Sequence, residues 1–108
     1  MTESPSEQRR ILVHVLKQLL KEMEIVTSQG AGYYTCVPFA RRFNRLLAEA
    51  RRLGDDSGLL NTFDPLPEAD PKDPSDKSKI MTGIRVETTQ LIATLEALLD
   101  LNKTGGVQ

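Results

Sequence analysis

The sequence has few of the residues that stabilise small extracellular or metal-dependent domains. It contains no tryptophan, one cysteine and one histidine among 108 residues, and only 5% of its residues are aromatic. A single cysteine cannot form a disulfide within the chain, and one cysteine with one histidine is too few soft ligands for a structural zinc site. We therefore expect no metal or other cofactor, and a domain that folds through its hydrophobic core alone.

Long apolar runs and an excess of charge are also absent. No uninterrupted apolar run exceeds three residues, which argues against a membrane-spanning helix and against a secretory signal. Fourteen basic residues against fifteen acidic ones leave a net charge of -1, which removes the simplest argument for general nucleic-acid binding. We expect a cytoplasmic protein with no membrane partner.

The first predicted helix covers residues 5–29. Ser4 and Glu7 have the spacing of a capping box, and Pro5 between them suits the first turn of a helix. Glycines at positions 30 and 32 end the pattern. Apolar residues recur at steps of three and four and predict one buried stripe, made of Ile11, Leu12, Val15, Leu16, Leu19, Leu20, Met23 and Val26.

The second predicted helix covers residues 36–53. Its apolar positions again step by three and four, Pro38 is tolerated because it falls in the first turn, and Gly54 ends the pattern. The connection from the first helix is short, so we expect the two helices to form an antiparallel αα-hairpin.

A proline-rich acidic loop, residues 55–72, separates the hairpin from a third predicted helix at 74–102. The start of this helix, Asp73 followed by Pro74, repeats the order of cap residue and proline at Ser4 and Pro5. The loop and its flank hold four of the six prolines, and seven acids lie between Asp55 and Asp76. Four apolar side chains could attach this loop to the bundle: Leu59, Leu60, Phe63 and Leu66. In the third helix, Val86 is the one large aliphatic residue well off the apolar face, with Leu101 at its margin.

These elements predict an all-α fold with a single domain over residues 1–108, a three-helix bundle made of a hairpin and a third long helix. At about 1.5 Å per residue the three helices would be about 37, 28 and 43 Å long. The short second helix cannot cover the apolar stripes of both longer helices. The uncovered length favours self-association, most simply as a homodimer that completes the bundle, unless the 59–66 segment covers it.

The region from residue 33 to residue 45 is the candidate partner-binding surface. It holds four of the five aromatic residues, and the second helix carries five arginines against one glutamate. Arginine and tyrosine on one face are typical of nucleic-acid binding, whereas the acidic loop that follows could equally neutralise the arginines. The candidate surface residues are Tyr33, Tyr34, Arg41, Arg42, Arg45 and Arg52.

No group of residues resembles a catalytic set. Cys36 falls in the first turn of the second helix, where the helix dipole lowers a thiol pKa, but it lies about 21 Å along the bundle axis from His14. We expect Cys36 to be a small packed residue and His14 to be at the surface. The sequence therefore favours a non-enzymatic module that binds itself and an unidentified protein, with nucleic-acid binding through the arginine face as the alternative.

Overall fold

The computed structural model describes residues 4–29, 35–55 and 57–107, with side chains described up to residue 101. The described residues form three α-helices and one short 3₁₀ turn, and they include no β-strand. The helices are α1 (Pro5–Ser28), α2 (Val37–Arg52) and α3 (Pro74–Val107), and the 3₁₀ turn is Leu59–Thr62. The predicted all-α fold and three-helix bundle are confirmed.

The helix starts follow the signals in the sequence. The Ser4 side chain accepts a hydrogen bond of 3.2 Å from the backbone N–H of Glu7, and Pro5 is the first helical residue of α1. At the start of α3, the Asp73 side chain accepts a bond of 2.8 Å from the N–H of Ser75. Both caps satisfy backbone donors that have no partner inside the helix.

α3 continues to Val107, although the sequence predicted that it ends near residue 102. The reason is that glycine lowers helix stability but keeps its backbone N–H. Gly105 and Gly106 therefore do not interrupt the hydrogen-bond ladder as a proline would.

The long helices α1 and α3 run antiparallel. Lys17 Nζ lies 3.1 Å from a carboxylate oxygen of Glu96, and Arg85 lies 3.7 Å from Glu24 further along. Because the residue number falls on α3 as it rises on α1, the two helices point in opposite directions. The whole chain is elongated, with principal extents of 53 × 24 × 23 Å.

One core runs through all three helices and the 3₁₀ turn. The buried apolar residues are Leu12, Val13, Leu16, Leu19, Met23, Cys36, Ala40, Phe43, Leu46, Leu47, Ala50, Leu60, Phe63, Met81, Ile84, Leu91, Ile92, Leu95 and Leu98. Most positions of the predicted stripes are therefore inside. Ile11 is an error of the prediction, since it is 50% exposed.

Arg9 is buried beside this core, although a charged residue is expected at the surface. Its residue is only 8% exposed, and its Nη2 donates a hydrogen bond of 2.5 Å to the carbonyl of Gly54, just after α2. Carbonyls at the C-terminal end of a helix lack partners within the helix and carry partial negative charge. Arg9 therefore ties the start of α1 to the end of α2.

Candidate functional site

The segment after α2 lies along that helix. We call residues 59–70 the strap. Leu60 and Phe63 are buried in the core, and Leu66 packs partly buried against it. The strap therefore covers part of the apolar stripes that the short second helix was predicted to leave exposed. Self-association has to be argued from a different surface.

Polar contacts fix the strap to α2 at successive levels. The Arg51 guanidinium donates to the backbone carbonyls of Leu60 and Phe63. About two and three turns nearer the start of α2, Asn44 and Arg41 bind the later part of the strap. Because strap numbers rise as α2 numbers fall, the strap runs antiparallel to α2.

Among these anchoring residues, Asn44 uses both its amide nitrogen and its amide oxygen to bind the strap. Its Nδ2 donates to the Leu66 carbonyl at 2.8 Å and to Glu68 at 3.1 Å, and its Oδ1 accepts from the Leu66 N–H at 2.7 Å. Both backbone groups of Leu66 are thus satisfied by one side chain. A single amide fixes the position of the strap along the helix.

Cys36 is the N-cap residue of α2 and is fully buried. Its backbone N–H donates a hydrogen bond of 3.0 Å to Asp70, and its Sγ lies 3.6 Å from the Lys77 carbonyl. Burial raises the pKa of the Cys36 thiol, and the nearby Asp70 carboxylate raises it further against the opposing effect of Lys77. The prediction of a packed cysteine agrees with this placement, and the net shift of the thiol pKa is upward, opposite to the lowering expected from the helix N-terminus alone.

The arginines of α2 do not form one open basic face. Arg41 forms an ion pair of 3.2 Å with Glu68 of the strap, and Arg52 forms one with Glu49 on its own helix. Arg51 is bound to the strap carbonyls, as described above. The acidic strap thus neutralises part of the face, which is one of the two alternatives that the sequence left open.

The remaining candidate surface residues are divided between the described and undescribed parts of the chain. Arg42 and Arg45 are exposed on α2, and Arg45 lies close enough to Glu68 to help lower the pKa of that carboxyl, after Asn44 and Arg41. Tyr33 and Tyr34 lie outside the described residues, as does the Gly30-Ala31-Gly32 turn. His14 is exposed on α1, as expected.

The outer face of α3 has an unusual composition. Between Lys79 and Glu96, every α3 residue that is exposed is uncharged: Thr82, Gly83, Val86, Thr89, Gln90 and Ala93. The side chain of Val86, at the centre, is 50% exposed. Exposed helix faces usually carry charged residues, so an uncharged face of three turns indicates a surface that tolerates burial.

Two grooves flank Val86. One, of about 400 Å³, lies between the strap and α3 and is lined mainly by apolar residues, among them Leu66, Pro67, Ile80 and Gly83. The other, of about 410 Å³, lies between α1 and α3 beside Leu20. Together with Val86 they widen the face beyond the helix itself, and charged residues lie at its edges, Arg85 and Glu24 in the groove beside α1 and Glu87 in the groove beside the strap.

Other kinds of site find little support within the described part of the chain. No cluster of three or more histidine, cysteine or acidic side chains there could hold a metal ion. None of the helical segments described has the continuous apolar length that a bilayer crossing demands. Comparison with protein-family models, with curated proteins and with solved structures finds no match to this chain.

The strap contacts are expected to be sensitive to acid. Hydrogen bonds from Cys36 lower the pKa of Asp70, those from Asn44 and Arg41 lower the pKa of Glu68, and those around Asp55 lower its pKa against the opposing effect of burial. A lowered carboxyl pKa stabilises the folded form above the ordinary value and loses that effect as the pH falls through the folded value. We therefore expect the strap to loosen below about pH 4 and to stay docked at neutral pH.

Backbone amide shifts in an NMR titration test this expectation. The amides of Cys36 and Leu60 should both move at low pH, since they donate to Asp70 and Asp55 respectively. In an Asp70→Asn variant the acceptor oxygen is kept but the titrating group is lost. The Leu60 amide should then respond as in the wild type, whereas the shift change of the Cys36 amide should be much smaller, and an undiminished Cys36 response would contradict the assignment.

Proposed function

We propose that this chain is a non-enzymatic interaction module that associates with itself through the outer face of α3. The observation that supports the proposal is the absence of charge among the exposed α3 residues from Thr82 to Ala93, with a half-exposed valine at their centre. Burying such a face removes no charge from water, and its apolar part, Val86 with the groove beside it, gains free energy when another protein surface covers it.

The arginine face of α2 supports binding less well than the outer face of α3. Two of its arginines are in ion pairs with acids of the same chain and a third holds the strap. A phosphate backbone would have to displace these contacts before it gained from the same charges. Protein contact through α3 is therefore the function that we put forward.

Sedimentation velocity over a range of concentrations tests the proposal. We expect the wild-type chain to form dimers at tens of micromolar, and Val86→Lys to raise the dimer dissociation constant by about 100-fold or more. The reason is that a two-fold interface would place two desolvated ammonium groups near each other.

Ile11→Lys is the matched control for this substitution. Ile11 is as exposed as Val86, at 50%, but it lies on α1. The pairing of Lys17 with Glu96 places Ile11 near the level of residue 102 of α3, about 24 Å along the axis from Val86. The control should dimerise like the wild type. A wild-type chain that stays monomeric up to several hundred micromolar contradicts the proposed function.

A further inference from the structure

Opposite charges mark the two ends of the uncharged face of α3. Lys79 lies at its N-terminal end, and Glu96 and Asp100 lie at its C-terminal end, all of them exposed. Both acids have partners in their own chain, Glu96 being paired with Lys17 at 3.1 Å, so a lysine from a second copy would join existing contacts. Lys79 and Glu96 are equally distant along the helix from the midpoint of the face, between residues 87 and 88. A second copy that lies antiparallel across this midpoint brings each lysine to the acidic end of the other copy.

Charged residues lie at both edges of the face. Arg85 lies at one edge and is already paired with Glu24 of α1, at 3.7 Å, and Glu87 lies at the other edge. An antiparallel copy places each edge against its own equivalent, so that two Arg85–Glu24 pairs meet at one edge and the two Glu87 side chains lie near each other at the other. The helix dipoles are also opposed in an antiparallel pair, which favours it over a parallel one.

Gly83 leaves room for a helix of another molecule to lie close to α3. It lies inside α3, where glycine costs about 1 kcal/mol relative to alanine. A Cβ atom placed on Gly83 would meet nothing within 4 Å, so no contact inside the chain requires the glycine. Small residues on a helix surface allow another helix to lie close, and Gly83 is directly beside Val86 on this face.

The area of the face suits a weak but specific dimer. From Lys79 to Asp100 the face is about 32 Å long at 1.5 Å per residue. With the groove walls on either side, each copy would bury roughly 500–600 Å², which is at the lower limit for specific protein interfaces. We therefore expect a dissociation constant in the micromolar range.

We infer that two copies of this chain pair antiparallel through α3, about a two-fold axis near residues 87 and 88, with Lys79 of each copy facing Glu96 and Asp100 of the other. This arrangement rests on the proposed function and adds the partner, its direction and the residues that specify it. Thr82 of one copy then lies opposite Ala93 of the other, and Val86 opposite Thr89.

Disulfide cross-linking of single-cysteine variants tests the direction of pairing. In a Cys36→Ala background, Thr82→Cys and Ala93→Cys are made separately, oxidised alone and as a mixture, and the products are identified by mass spectrometry. The two positions are about 17 Å apart along one helix, whereas a disulfide needs Cα atoms within about 7 Å. We expect efficient cross-linking in the mixture, between one chain of each kind, and at least ten-fold less when either variant is oxidised alone.

Sedimentation of the same samples before oxidation separates the two possible failures. Chains that remain monomeric contradict the proposed function itself. A dimer in which each variant cross-links efficiently with itself is parallel, and a dimer in which the mixture cross-links no better than an Ile11→Cys control uses another surface. Of these last two results, the first overturns the antiparallel arrangement and leaves association through α3 standing, whereas the second also contradicts the α3 surface named in the proposed function.

Discussion

Leu60→Ala is expected to lower the free energy of unfolding by about 2–5 kcal/mol, which is the usual cost of removing a fully buried leucine side chain. Leu60 lies in the 3₁₀ turn of the strap and is only 1% exposed. The loss is large because the strap is part of the core, although its composition is that of a solvated loop. Urea denaturation followed by far-ultraviolet circular dichroism measures the change.

The neighbouring Leu59 provides a matched control. It is the same residue type in the same 3₁₀ turn, but its side chain is 46% exposed. Leu59→Ala should change the free energy of unfolding by no more than about 0.5 kcal/mol. Equal effects at the two positions would show that the strap does not dock in the orientation described.

Asn44→Ala is expected to cost about 1–3 kcal/mol, because it removes the partners of both backbone groups of Leu66. The expected loss is smaller than that at Leu60, but it should be accompanied by faster hydrogen exchange in the strap. The Leu66 amide, which donates to Asn44 Oδ1 at 2.7 Å, should show the largest increase. Native-state hydrogen exchange measured by NMR at neutral pH gives both the change in the free energy of unfolding and the exchange rate of the Leu66 amide.

Two further variants make the test of Asn44 specific. Asn44→Asp keeps an acceptor for the Leu66 N–H but cannot donate to the Leu66 carbonyl, and it places a second negative charge beside Glu68. It should therefore be at least as destabilising as alanine at neutral pH. Asn61→Ala, at an exposed position of the strap, should have little effect. If Asn61→Ala accelerates exchange of the Leu66 amide as much as Asn44→Ala does, Asn44 does not have the anchoring role described.

Much of the fold could be predicted because the relevant signals are local. The Ser4 and Asp73 caps lie within a few residues of the groups that they bind, and helical periodicity identifies the buried faces of α1, α2 and α3. The exposure of Val86 also followed from its position on the helical wheel. In each of these cases the sequence spacing alone determines the geometry.

The docking of the strap could not be predicted because its contacts join residues far apart in the sequence. Asn44 and Leu66 are 22 residues apart, and Cys36 and Asp70 are 34 apart. Four prolines and several acids favour an extended, solvated path when they are considered locally. The apolar Leu60 and Phe63 indicated that the segment could attach to the bundle, but not where.

The same limit applies to the candidate surface. Charge counting along α2 found a basic helix, and it could not show that Glu68 reaches Arg41 or that Arg51 binds backbone carbonyls. The uncharged face of α3 was visible in the sequence only as one valine off the apolar stripe. It became a candidate surface once the exposed residues around Val86 were known.

Small-angle X-ray scattering over a concentration series tests self-association through the long side of the bundle most directly. One chain has a Cα radius of gyration of 15.3 Å and is about 24 Å wide, so two chains side by side should give about 19 Å. We predict that the radius of gyration rises towards about 19 Å as the scattering mass doubles, and that Val86→Lys abolishes the rise. A value that stays near 15.3 Å at every concentration would contradict self-association, and one near 31 Å would indicate contact through the ends of the helices instead of the α3 face.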